Sequence, residues 1–101
     1  MLSSKQRKYL RSKAHHLKPV VFIGKAEVNN SVFKTINECL CAHELIKVKI
    51  AMGDRSLRDE TICEICRKSD ALLVQRIGNI ATFFRKNPDA DPRKSNLQRQ
   101  I

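Results

Sequence analysis

Apolar residues recur at two spacings along the chain, and the switches between them lay out its elements. Near the N-terminus Leu10, Ala14 and Leu17 fall at i, i+4 and i+7, the stripe of an amphipathic helix. Ser3 and Gln6 have the S-x-x-Q spacing of a capping box, and Pro19 disfavours helical backbone at Lys18, which ends the helix. Val20, Val21, Phe22 and Ile23 are continuously apolar up to Gly24, the pattern of a buried strand. Asn29 caps a second helix with Val32, Phe33, Ile36, Cys39 and Leu40 on its core side. From Glu44 to Ala51 the period drops to two: Ile46, Val48 and Ile50 point one way, Leu45, Lys47 and Lys49 the other.

A third helix, capped by Asp54 or Ser56, turns Leu57, Thr61, Ile62, Ile65 and Cys66 inward. Residues 71–77 and 80–85 are β-rich runs parted by Gly78-Asn79, a two-residue hairpin signal. The order αβαβαββ predicts a single α/β domain over residues 1–86, a four-stranded mixed sheet packed with helices. From Asn87 the chain is polar, carries Pro88 and Pro92 and has no periodic apolar face, which predicts a disordered tail over 87–101.

Charge adds a partner class. Twenty Lys and Arg against ten Asp and Glu give a formal charge of +10. Residues 1–26 hold seven cations (Lys5, Arg7, Lys8, Arg11, Lys13, Lys18 and Lys25) and no acid, whereas residues 27–84 are balanced. At the end Arg85, Lys86, Arg93, Lys94 and Arg99 outnumber Asp89 and Asp91. Clustered positive charge selects anionic partners, above all phosphate backbones. Lys5, Lys8 and Arg11 step by three along the first helix and nearly share a face, with Arg7 and Lys13 beside it. Lys18 follows that helix. The turn Gly24-Lys25-Ala26 offers backbone N–H groups ahead of a helix N-terminus, an arrangement that receives phosphate. Lys47, Lys49, Arg76 and Arg85 extend the set if their faces adjoin.

Catalysis finds little to use. Cys63 and Cys66 form a C-x-x-C inside a helix, away from the N-terminus where the dipole lowers a thiol pKa. At about 100° per residue Cys39 and Cys41 lie about 200° apart, so they do not share a metal. The expectation is four reduced cysteines, Cys39 and Cys66 toward the core and Cys41 and Cys63 outward, with no metal and no cofactor. A zinc or redox site at Cys63 and Cys66 is the alternative. His15, His16 and His43 end helices, with no nucleophile or carboxylate at a recognisable spacing. No glycine-rich nucleotide loop is present. The chain is expected to be non-enzymatic, with no small-molecule substrate. It lacks a run near the roughly 18 apolar residues of a membrane helix and the apolar segment of a secretory signal, so no membrane partner and a cytoplasmic monomer are expected. Composition leaves RNA and a small DNA-binding protein both open, since Tyr9, Phe22, Phe33, Phe83 and Phe84 form no RNP-type pattern.

Three stretches carry a resemblance. Leu17 to Ala26 (LKPVVFIGKA), His43 to Lys49 (HELIKVK), and Ile77-Gly78 followed by Phe84-Arg85 resemble, in order and spacing, the YhbY family. These are bacterial stand-alone forms of the CRM domain, and the resemblance covers residues 2 to about 86. It implies a fold similar to the C-terminal domain of translation initiation factor three. It implies RNA binding without catalysis, with ribosomal RNA and precursors of the large ribosomal subunit as partners. It also implies a GxxG turn between first strand and second helix that clamps RNA backbone. Gly24 matches the first glycine and Glu27 stands where the second would be, so Gly24, Lys25 and Ala26 carry over and Glu27 does not. A left-handed backbone at Glu27 would cost about 1 kcal/mol or more.

Overall fold

The computed structural model describes residues 2–97. Helix α1 spans Ser4–Ala14, strand β1 Pro19–Gly24, helix α2 Asn30–His43 and strand β2 Leu45–Ala51. Helix α3 spans Arg55–Ser69, strand β3 Leu72–Ile77 and strand β4 Ile80–Phe84, and one 3-10 turn covers Lys25–Glu27. The order of helices and strands is the one the periodicity predicts. Each helix begins on a side-chain cap, because the first N–H groups of a helix have no partner within it. Ser3 and Gln6 exchange the two bonds of a capping box. Asn29 accepts from the Val32 N–H, and Asp54, rather than Ser56, accepts from Ser56 and Leu57.

The strands form one sheet in the order β1-β2-β4-β3, with β1 parallel to β2 and the other pairs antiparallel. Gly78 takes a left-handed φ of 58° in the β3–β4 hairpin, a conformation glycine adopts without steric cost. Helices α2 and α3 cover one face. Val21, Ile23, Ile46, Val48, Ile50 and Phe83 pack there against Phe33, Ile36, Leu40, Ile62 and Ile65. On the other face α1 covers one end only, placing Leu10 and Ala14 against Leu45, Val74 and Phe84.

That uneven cover corrects the expectation for β1. Only Val21 and Ile23 are buried, while Val20 and Phe22 are 47% and 61% exposed. A continuous apolar run implies two covered faces, but β1 is an edge strand and the helices shield only one of its sides.

The tail also differs from its expectation as far as it is described. Ala90 and Leu97 are buried, and Leu97 joins the second core beside Leu10 and Phe84. The segment is tied to the α2–β2 junction. Glu44 is fully buried at a φ of 65°; its carboxylate accepts from the Asn87 N–H at 2.6 Å and the Ser95 hydroxyl at 2.9 Å. A His43 ring nitrogen donates to the Lys94 carbonyl at 2.7 Å, and the Asn96 side chain donates to the Leu45 carbonyl. A buried carboxylate is stable where donors replace its water, and here the C-terminal segment supplies them. The remaining part of the predicted tail, 98–101 with Arg99, lies outside the described residues.

Candidate nucleic-acid interface

Helix α1 sorts its cations by angle. Leu10 and Ala14 are buried, so Lys5, Lys8 and Arg11 project to solvent from the opposite side. Arg7 shares the i, i+3, i+7 stripe with Leu10 and Ala14 and turns inward. Its guanidinium donates to the carbonyls of Leu73 at 2.9 Å and Val74 at 2.6 Å, beside a register shift in β3. Arg7 therefore pins α1 to the sheet. The Lys13 ammonium lies 5.6 Å from the Tyr9 ring centroid, within cation–π range. Lys18 is exposed after the helix.

The glycine turn stands at the opposite end of the sheet. Gly24 pairs with Ala51, the last residue of β2, whereas α1 packs over Leu45, the first. Seven strand residues at roughly 3.3 Å each put these ends about 20 Å apart. The two basic segments do not meet directly. Lys47 and Lys49 lie along β2 on the face that α1 half covers, alternating with the buried Ile46, Val48 and Ile50. Lys25 instead lines a depression with Met52, Leu57, Glu60 and Glu64 on the α3 side. In register, Lys49 sits opposite Phe22 of β1 and Ile80 of β4.

The turn's backbone is ordinary at Glu27: among the described residues the non-glycine left-handed positions are Glu44 and Asp70. The strain considered for Glu27 is absent. Its carboxylate instead folds back and accepts from the Gly24 N–H at 3.1 Å. Gly24 has an extended φ of −90°, but a Cβ there would stand 2.6 Å from the Glu27 Oε1. Glycine at this position admits the carboxylate. An anion of the protein's own thus occupies the Gly24 N–H, a group the sequence reading expected to receive phosphate. Replacing Glu27 by Gln should tighten RNA binding up to about fivefold, the worth of about 1 kcal/mol for one exposed repulsion. Glu27→Gly should do the same, since no strain remains to relieve. The gain should fade at high salt, with a screening length of roughly 8 Å at physiological ionic strength. Titrations of parent and variants at two salt concentrations check this; variants that match the parent at both would place the turn outside the interface.

Two further arginines are committed elsewhere. Arg76 pairs with Asp59 of α3 and points to the helix-covered face, opposite Ala81. Arg85 donates to the carbonyls of Ser69 at 2.8 Å and Asn37 at 3.0 Å, joining the end of β4 to α2 and α3. Neither adjoins Lys47 and Lys49. The sequence reading missed Arg55 and Arg58, which with Arg76 and Gly78 line a depression of about 250 Å³ at the start of α3. They sit in a charge-balanced stretch, where counting by segment gives no signal. Lys5, Lys8, Arg11, Lys18, Lys25, Lys47 and Lys49 join no ion pair among the described residues.

The cysteines divide as the helical angles predict. Cys41 and Cys63 are exposed, while Cys39 and Cys66 are half-buried against the core. Burial pushes both inner thiols above their ordinary pKa, the opposite of an activated nucleophile. Among the described residues, no three His, Cys, Asp or Glu side chains gather where they could hold a metal ion. No described helix is long and apolar enough to cross a membrane.

Residues 2–85 match the family model described as the CRS1 / YhbY (CRM) domain. A Pseudomonas aeruginosa protein named a probable RNA-binding protein is 39% identical over 98 residues, covering 97% of this chain and 94% of that one. A Haemophilus influenzae protein named as RNA-binding is 42% identical over 96 residues, covering 92% of this chain and 97% of its own. A solution structure from Staphylococcus aureus, titled as a candidate RNA-binding protein, superposes with a TM-score of 0.76 at 33% identity. That likeness covers 90% of this chain and 95% of the other.

Proposed function

Because the chain belongs to the CRS1/YhbY (CRM) domain family, we propose that it is a non-catalytic RNA-binding protein acting on precursors of the large ribosomal subunit. It works in the cytoplasm as a monomer, with ribosomal RNA as its ligand. The observation that carries this reading is the set of cations on α1, at Lys18 and at Lys47 and Lys49 on the α1 side of the sheet, which join no ion pair among the described residues. Each can neutralise a phosphate and release its counterion. Roughly 13 Å of β2 from Leu45 to Lys49, added to the exposed face of α1, suits several successive phosphates rather than one bound anion. The site holds and neutralises; it positions no general base. His43 is occupied with the Lys94 carbonyl, and His15 and His16 stack edge to face on the surface.

Competition at fixed salt separates the two nucleic acids. Structured ribosomal RNA should displace a bound RNA probe at least about tenfold more effectively than duplex DNA of equal phosphate content. Equal displacement would favour a general basic DNA-binding protein.

A further inference from the structure

The half of the sheet that α1 leaves uncovered combines exposed apolar side chains with lysines. Phe22, Lys49, Ile80 and Ile77 form one row across all four strands, aligned by the pairings Phe22–Lys49, Lys49–Ile80 and Ile80–Ile77. Phe22 is 61% and Ile77 68% exposed. The next row holds Lys47, Thr82 and Gln75. With Ile77 and Ile80 these line a shallow depression of about 200 Å³, smaller than the roughly 300–1,000 Å³ of small-molecule pockets. No acid stands at any of these positions.

A soluble protein exposes such a patch where something binds it, and the charge indicates what. An apolar protein partner does not require lysines alone. Single-stranded nucleic acid requires both elements here, a ring or flat apolar surface for each base and cations for the phosphates between bases. The patch is also continuous with the phosphate track described above, since Lys47 and Lys49 belong to both. We propose that this open half-sheet is a platform for unpaired RNA bases, with Phe22 as the principal stacking side chain and Lys49 and Lys47 holding the adjacent phosphates. The inference rests on the RNA-binding reading and adds to it the form of the ligand: a single-stranded loop or end, not a helix, because bases inside a duplex present no free face.

The test uses the full chain, a short single-stranded oligouridylate and a duplex RNA of equal phosphate content. Phe22→Ala should weaken oligouridylate binding about 5- to 150-fold, the range for losing one stacked base. The dependence on salt should not change, since no cation is removed. Duplex binding should be unaffected. Lys49→Ala should instead flatten the single-strand salt slope by about 0.7. The chain contains no tryptophan, so Phe22→Trp installs a sole indole on the platform. Its emission should be quenched by oligouridylate with affinity retained, which checks the assignment in a variant that keeps an aromatic ring.

Unchanged oligouridylate affinity in Phe22→Ala, with wild-type binding intact, would overturn the platform and leave the RNA-binding reading standing. Absence of RNA binding by the wild-type chain would overturn both. A wild-type dimer converted to monomer by Phe22→Ala, with RNA affinity unmoved, would show that a second copy covers the face and would also overturn the proposal.

Discussion

Replacing Lys5, Lys8 and Arg11 together by Ala is expected to remove most of the salt dependence of RNA binding. With five to seven phosphates contacted, the intact protein should show a log–log slope of roughly −4 to −6, losing affinity about 250- to 4,000-fold between about 50 and 200 mM salt. Each lost contact flattens the slope by about one. The triple variant should then lose only about 4- to 60-fold over the same range. All three side chains are exposed and join no ion pair among the described residues, so the variant should fold as the parent does. Arg7→Ala makes the contrasting control. Arg7 is bonded to Leu73 and Val74, so its loss should lower thermal stability and leave the slope nearly unchanged. Binding titrations across salt and melting curves read both. An unchanged slope in the triple variant would put the phosphate contacts elsewhere.

The largest stability effect is expected at Glu44. Its carboxylate receives the Asn87 N–H and the Ser95 hydroxyl in a fully buried position, and its own backbone carbonyl receives the Arg85 N–H. Glu44→Ala takes the acceptor from two part-buried donors, each worth about 1–3 kcal/mol if fully unsatisfied and less where water reaches it, and should cost about 2–4 kcal/mol. For a domain of this size that is a fall of about 10–25 °C in thermal midpoint. Glu44→Gln keeps an acceptor in place and should lose less than half as much. Proteolysis of the Ala variant should begin in residues 87–97, whose anchor has gone. An unaltered midpoint in Glu44→Ala would show that the C-terminal segment is not held by this residue.

The sequence made the architecture readable because its signals were local. The alternation of Ile46, Val48 and Ile50, the caps at Ser3, Asn29 and Asp54, and Gly78 in the hairpin each follow from a few neighbouring residues. The misses share the opposite character. Exposure of Phe22 depends on which half of the sheet α1 covers, a matter of packing between elements far apart in sequence. Leu97 is one apolar residue in a polar stretch, with no period to announce it, and it is buried because Glu44 and His43 hold the chain beside it. For the site, free charge could be told from committed charge only in part. The sequence reading groups Arg7 with the phosphate-binding cations, but it shares the stripe of Leu10 and Ala14 and is bonded to the sheet. The partners of Arg85 lie in two other helices, and nothing near it in the sequence points to them.

The measurement that bears most directly on the proposed role is crosslinking of the protein to RNA in growing cells, followed by sequencing of the bound fragments. The account predicts enrichment of large-subunit ribosomal RNA in its precursor form, at single-stranded loops or ends, lost when Lys5, Lys8 and Arg11 are replaced by Ala. Fragments spread over messenger RNA in proportion to abundance, or crosslinks unaltered by that replacement, would contradict it.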